Sequence, residues 1–137
     1  MNISEIEDKL IETIESLGLF RIVDSLGRRA IPVSLNYPSA FVYFAKDEDT
    51  GTKPRPVFTL TYEVQVSNKN LKSEKEAAKD TYALLDAIRD AINKKTLGIS
   101  DIEPFTCTAR EITDYADGVI IYTLQFQTRQ YLPVVSE

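Results

Sequence analysis

The residues of this chain with the types and spacing to do chemistry are few, and most are carboxylates. Asp47-Glu48-Asp49-Thr50-Gly51 is the nearest approach to a metal loop. A calcium loop of the helix–loop–helix type needs acids at alternate positions, a glycine, and a bidentate Glu at the twelfth position. Counted from Asp47, that position holds Phe58, and the flanking segments read as strands, so a solvated hairpin tip outweighs a cation site. Asp47, Glu111, Asp114 and Asp117 are the groups a carboxylate-dependent hydrolase would use, and such a site needs a cleft holding a carboxyl of raised pKa. Histidine is absent, which removes Ser–His and Cys–His nucleophile pairs and the usual zinc ligand sets together. Cys107 is in step with Phe105 and Ala109 in an alternating stretch, the placing of a small buried hydrophobe, and no sequence neighbour lowers its pKa. The five glycines, at 18, 27, 51, 98 and 118, stand alone at turns and form no phosphate loop. No catalytic, cofactor-binding or metal-binding residue is assigned.

Basic residues gather in two places. Arg21, Arg28 and Arg29 could dock an anion or a partner carboxylate through charge-assisted bonds, although an ordinary exposed loop accounts for them as well. Lys69, Lys72, Lys75 and Lys79 read as a solvated strip. The whole chain carries 16 basic and 21 acidic residues, a net charge of −5, which disfavours general or sequence-specific nucleic-acid binding. One cysteine excludes an internal disulfide and suits a reducing compartment. No apolar run has membrane-spanning length and the N-terminus reads as a charged helix, so the expectation is a cytoplasmic protein without a membrane partner.

The elements that must position these groups follow from periodicity. Val57 to Ser67 alternates, with Phe58, Leu60, Tyr62, Val64 and Val66 on one face and Thr59, Thr61, Glu63, Gln65 and Ser67 on the other, a strand buried on one side. Ser73 and Glu76 then form a capping box. Ala77, Thr81, Leu84, Leu85, Ile88, Ala91 and Ile92 trace one face of a helix to about Lys95, with Gly98 beyond its basic end. An earlier helix spans residues 2–17, with Ser4 and Glu7 as its capping box, Ile6, Leu10 and Ile14 on its apolar face, and Gly18 at its exit. Phe20 to Val23 reads as a short strand and Ile31 to Leu35 as an extended piece. Ala40 to Ala45 is a strand covered on both faces, followed by a long polar hairpin loop from Lys46 to Arg55. Pro104 to Ile112 and Val119 to about Leu132 close the chain as a hairpin whose tight turn is Asp114-Tyr115-Ala116-Asp117-Gly118, since Asp-Gly suits positive φ. Two hairpins separated by a helix predict an α+β fold for residues 1–137 as a single domain. Its mostly antiparallel sheet has four strands or slightly more, with two main helices on one face. Strands of this length outreach their helices and project as a ribbon, which pairs with another subunit or twists into solvent. Tyr131, Leu132, Val134 and Val135 form an apolar tail that must dock on its own domain or on a neighbour.

The capped first helix, then Tyr37-Pro38-Ser39-Ala40-Phe41-Val42-Tyr43-Phe44, the long acidic hairpin loop, strand, helix and closing hairpin together resemble the Mu-like family of small bacteriophage tail proteins. That family is related in fold to the tail terminators of long-tailed phages. The resemblance implies a structural phage or prophage protein of the virion tail, made in the host bacterial cytoplasm. It would form a homohexameric ring that caps the tail tube and joins it to the head connector. It implies no enzyme activity and no cofactor. Its partners would be further copies of itself, the tail tube protein and the head–tail connector protein. Subunit contacts would then fall on the long loop, through Asp47, Glu48, Asp49, Lys53 and Arg55, on Arg28 and Arg29, and on Tyr131. A second reading is a non-enzymatic adaptor that binds a partner peptide or strand at a free sheet edge.

Overall fold

The computed structural model describes residues 3–25, 37–49, 57–69 and 74–131. The alternating stretch is the strand β3, Val57–Lys69, where β1 is Ile22–Ser25 and β2 is Ser39–Asp49. The helix α2, Glu74–Ile92, and two further strands, β4 (Thr106–Ala116) and β5 (Val119–Tyr131), complete the chain after the first helix, α1, Ile3–Glu15. β3 pairs along its length with β5, antiparallel, from Val57↔Tyr131 to Lys69↔Val119. Its other side takes β2, also antiparallel, from Ser39↔Ser67 to Asp49↔Phe58. The sheet order is β1-β2-β3-β5-β4. β1 is parallel to β2, which makes the sheet five-stranded and mixed only at that edge. The fold class is α+β, as the two hairpins predict.

Leu60, Tyr62, Val64 and Val66 of β3 are buried in one cluster with Ile6, Leu10 and Ile14 of α1 and with Leu85, Ile88 and Ile92 of α2. Both helices therefore cover the same face of the sheet. α1 packs on β1 and β2, and α2 packs on β3, β5 and β4. The Tyr62 hydroxyl donates to the Ile3 carbonyl at 2.9 Å, so the polar tip of this buried ring fastens the start of α1 to the central strand.

Several boundaries differ from the sequence reading. Ser4 lies inside α1, and Glu7 accepts a hydrogen bond from Ser25 Oγ at 2.5 Å, so that carboxylate ties the helix to β1 instead of closing a capping box. α2 ends at Ile92, not Lys95, because Lys94 takes φ 64° and turns the chain back. The Lys94 N–H then bonds the Phe105 carbonyl at 2.6 Å, the Phe105 N–H bonds the Lys95 carbonyl at 2.9 Å, and the Cys107 N–H bonds Asn93 Oδ1 at 2.9 Å. The helix exit is thus stitched to the first residues of β4. Gly18, at φ 68°, ends α1 as expected. Strand β4 runs on to Ala116, leaving Asp117 and Gly118, at φ 53° and 77°, as a two-residue turn of the kind that matches strand twist. The extended piece at 31–35 lies outside the described residues.

Truncating the core at Leu124, fully buried on β5, is expected to lower stability by about 2–5 kcal/mol for Leu124→Ala. Tyr62→Phe, which keeps the ring but loses the bond to Ile3, should cost about 1 kcal/mol. Urea unfolding checks both, and equal midpoints for the two variants would contradict this account.

Candidate functional site

The acidic triplet is not a loop tip. Asp47, Glu48 and Asp49 continue β2 and pair with Leu60, Thr59 and Phe58 after a bulge between Phe44 and Lys46. Charge made them read as loop, but pairing to β3 is what determines the backbone there. All three are exposed, and Lys46 Nζ bridges Glu48 at 2.8 Å. They form the end of a projecting ribbon, with β1 reaching only as far as Val42 on the outer side. Arg28, Arg29, Lys53 and Arg55 lie outside the described residues, as does the side chain of Tyr131, whose backbone pairs with Val57.

Asp47 is not brought to the other hydrolase carboxylates, and no three acidic or metal-ligating side chains gather among the described residues. Asp47 lies at the level of Leu60 and Thr128, whereas Asp114 lies at Ile121, three strands away. Seven residues of strand separate those levels by roughly 24 Å at ~3.4 Å per residue. Cys107 is half-buried, and that burial pushes its thiol up, outweighing the nearby charge of Arg110.

The face of the sheet without helices carries a side-chain ladder across four strands. The Tyr43 hydroxyl donates to Glu63 Oε1, Gln125 Nε2 donates to Glu63 Oε2 at 3.3 Å, and Thr108 Oγ1 donates to Gln125 Oε1 at 2.8 Å. Gln127 Nε2 donates to Thr61 Oγ1 at 3.1 Å one rung away. Burial, then the bond to Glu63, pushes the Tyr43 phenol up to about 12. At the other end of this face Ser39 Oγ, Ser67 Oγ and Gln65 Oε1 are buried without a hydrogen-bond partner among the described residues.

On the helix side, between α2 and the β4–β5 hairpin, lies a cleft of about 310 Å³ lined by Tyr82, Leu85, Asp86, Arg110 and Tyr122. Tyr82 and Tyr122 meet edge to face with ring centres 6.2 Å apart. Ile112, opposite Tyr122 in the register and 46% exposed, continues the apolar wall. Arg110 Nη1 holds Asp86 Oδ1 at 2.7 Å, and Arg89 Nη2 approaches the same oxygen at 3.6 Å. Aromatic and aliphatic side chains ringed by a shared ion pair suit protein docking better than covalent chemistry.

The fold recurs in a virus-like particle. A chain in the solved virion of a native gene transfer agent particle superposes with a TM-score of 0.62 over 94% of each chain, at 13% identity. No family model and no curated protein matches the chain. The likeness shows a shared fold spanning both chains almost end to end, and the Mu-like family itself is not shown.

Sequence reasoning missed the cleft, since its walls come from α2, β4 and β5 and meet only in the folded sheet. The signal present was Tyr82, which falls off the apolar period of α2 and in step with Lys75, Lys79, Asp86 and Arg89.

Two outcomes check the open face. Ser67→Ala should leave the urea midpoint unchanged or raise it, because it removes a buried hydroxyl without a partner among the described residues, whereas Thr61→Ala should lower it. Because the folded phenol of Tyr43 titrates above its ordinary value of 10, the folded state holds the proton more tightly. Stability is therefore expected to fall as pH rises from 10 towards 12, and Tyr43→Phe should flatten that fall; an unchanged profile would contradict the assignment.

Proposed function

We propose that this chain is a structural, non-enzymatic component of a phage-like virion, acting in the tail as a terminator in the manner of the Mu-like tail proteins. The observation that carries the reading is the likeness of fold, across 94% of both chains, to a component of a gene transfer agent virion. In this reading copies of the chain close into a ring, a hexamer, at the head-proximal end of the tail tube. The ring contacts the tube protein on one side and the head–tail connector on the other. The described residues supply a rigid wedge of sheet and helices and a projecting acidic end of β2 for such contacts. Assembly would take place in the bacterial host cytoplasm, and the finished protein would reside in the virion tail.

The adaptor reading has one observation in its favour, the uncovered edges. β4 beyond Cys107 and β2 beyond Val42 have no further strand beside them among the described residues. Both edges carry bulges and charges, which are devices that oppose pairing with a foreign strand. The virion reading is therefore preferred.

Native mass spectrometry over a range of concentrations, with negative-stain imaging of large species, tests this. Closed rings near six copies, alone or with tail tube protein added, are the expected result. A strict monomer that ignores tube protein at high concentration would overturn it.

A further inference from the structure

The exposed large apolar side chains of the described residues fall on opposite flanks of the sheet. Leu19, 44% exposed, leads from α1 into β1 at one edge. Tyr82, 49% exposed, and Ile112 border the cleft beside β4 at the other edge. The two flanks lie near the same level along the strands. Ile22, just after Leu19, is opposite Ser39, Ser39 is opposite Ser67, and Ser67 is opposite Ile121, the neighbour of the cleft residue Tyr122.

The two flanks also differ in charge. On α1 the exposed residues Glu5, Asp8, Glu12 and Glu15 recur at helical steps, and Lys9, the helix's one basic residue, is paired to Glu12 at 3.5 Å. On α2, Lys75, Lys79 and Arg89 recur with Tyr82 on the side that meets β4, and Arg110 joins them from the strand. Asp86 is shared by both arginines, and Arg89 also pairs with Asp90 at 3.3 Å, which leaves Lys75 and Lys79 as the flank's exposed cations outside these ion pairs. α1 overlies β1 and β2 while α2 overlies β3, β5 and β4, so the helices that carry the acidic stripe and the basic flank lie towards opposite edges of the sheet and meet over its middle.

We propose that the cleft beside β4 docks a second copy of this chain. The incoming copy seats the Leu19 end of its α1 over Tyr82 and Ile112, and its Glu12 and Glu15 face Lys75 and Lys79. The contact uses different surfaces of the two copies, so repetition generates a ring when the rotation closes. It deepens the self-association of the proposed function and rests on it.

The test is a charge swap across the contact, read by native mass and by sedimentation at low salt. Glu12→Lys with Glu15→Lys makes both flanks basic, and Lys75→Glu with Lys79→Glu makes both acidic. These positions are exposed, and the changes to Glu15 and Lys75 improve the match to the helix dipole, so circular dichroism should show intact helices. Each variant alone is expected to lose at least about ten-fold in self-association, and an equimolar mixture of the two should assemble again. Tyr82→Ala should weaken association without affecting helicity. If the unmodified protein assembles and the swaps change nothing, or if the mixture fails to recover, this docking mode is wrong while self-association stands. If the unmodified protein stays monomeric even with tube protein, the ring and the docking mode fall together.

Discussion

One-sided burial of β3 is the constraint on which the rest of the molecule depends. This strand is paired on both sides, so its backbone donors and acceptors are used within the sheet, and only its faces remain to be settled. The face bearing Leu60, Tyr62, Val64 and Val66 excludes water only when both helices lie across it. α1 comes over the β1–β2 side and α2 over the β5–β4 side, and Tyr62 secures the first of these through its ring packing on Phe44 and its bond to Ile3. The opposite face keeps its polar character, and a ladder of amides, hydroxyls and one carboxylate knits the strands where no helix covers them. A register slip of one residue in β3 would exchange the two faces and destroy both arrangements at once.

The edges are managed by a different device. β4 has bulges at Thr108 and Thr113, and both bulged residues are threonines bonded to β5 through their hydroxyls: Thr113 donates to the Ile121 carbonyl at 3.2 Å, and Thr108 donates to Gln125 Oε1 at 2.8 Å with the Gln125 main-chain carbonyl farther off at 3.4 Å. The extra residue disturbs the backbone ladder locally, and the side chain meets the acceptor instead. β2 has its own bulge at Ala45, followed by Lys46 and the acidic triplet. Bulged and charged edges are poor templates for another strand, which leaves faces and flanks as the surfaces for specific association.

The fold was legible in the sequence where a repeat was long and unbroken. The alternation from Phe58 to Val66, the period of α2 through Ile92 and the Asp117-Gly118 turn each led to an element that the structure contains. Boundaries decided by tertiary contacts were not legible. Lys46 to Asp49 has the composition of a loop, and it is a strand because β3 offers a free side to pair with. Lys94 rather than Gly98 turns the chain out of α2, since the bonds to Phe105 reward an early exit. Glu7 is consumed by Ser25, a residue that no local pattern connects to it. Of the interface residues expected from sequence, Asp47, Glu48 and Asp49 lie at the end of the β2 ribbon and Tyr131 ends β5 opposite Val57, whereas the cleft of Tyr82, Arg110 and Tyr122 arises from three elements and has no contiguous signature.

A fold shared at 13% identity is physically reasonable for this architecture. Its requirements are an alternating central strand, two amphipathic helices and tight turns, and many sequences satisfy those with different side chains. Residues facing the core are exchangeable within their class, as long as volume and period are kept. The likeness therefore fixes the sheet and the helices but carries nothing about which surface meets which neighbour. The flanks differ from the core in that their exposed charges can change without disturbing it. Under the proposed docking, an acidic α1 and a basic border to the α2–β4 cleft would discriminate between partners through complementarity and through repulsion of the wrong surface. In the proposed docking mode the choice of neighbour would rest on a few flank residues rather than on the sheet they surround.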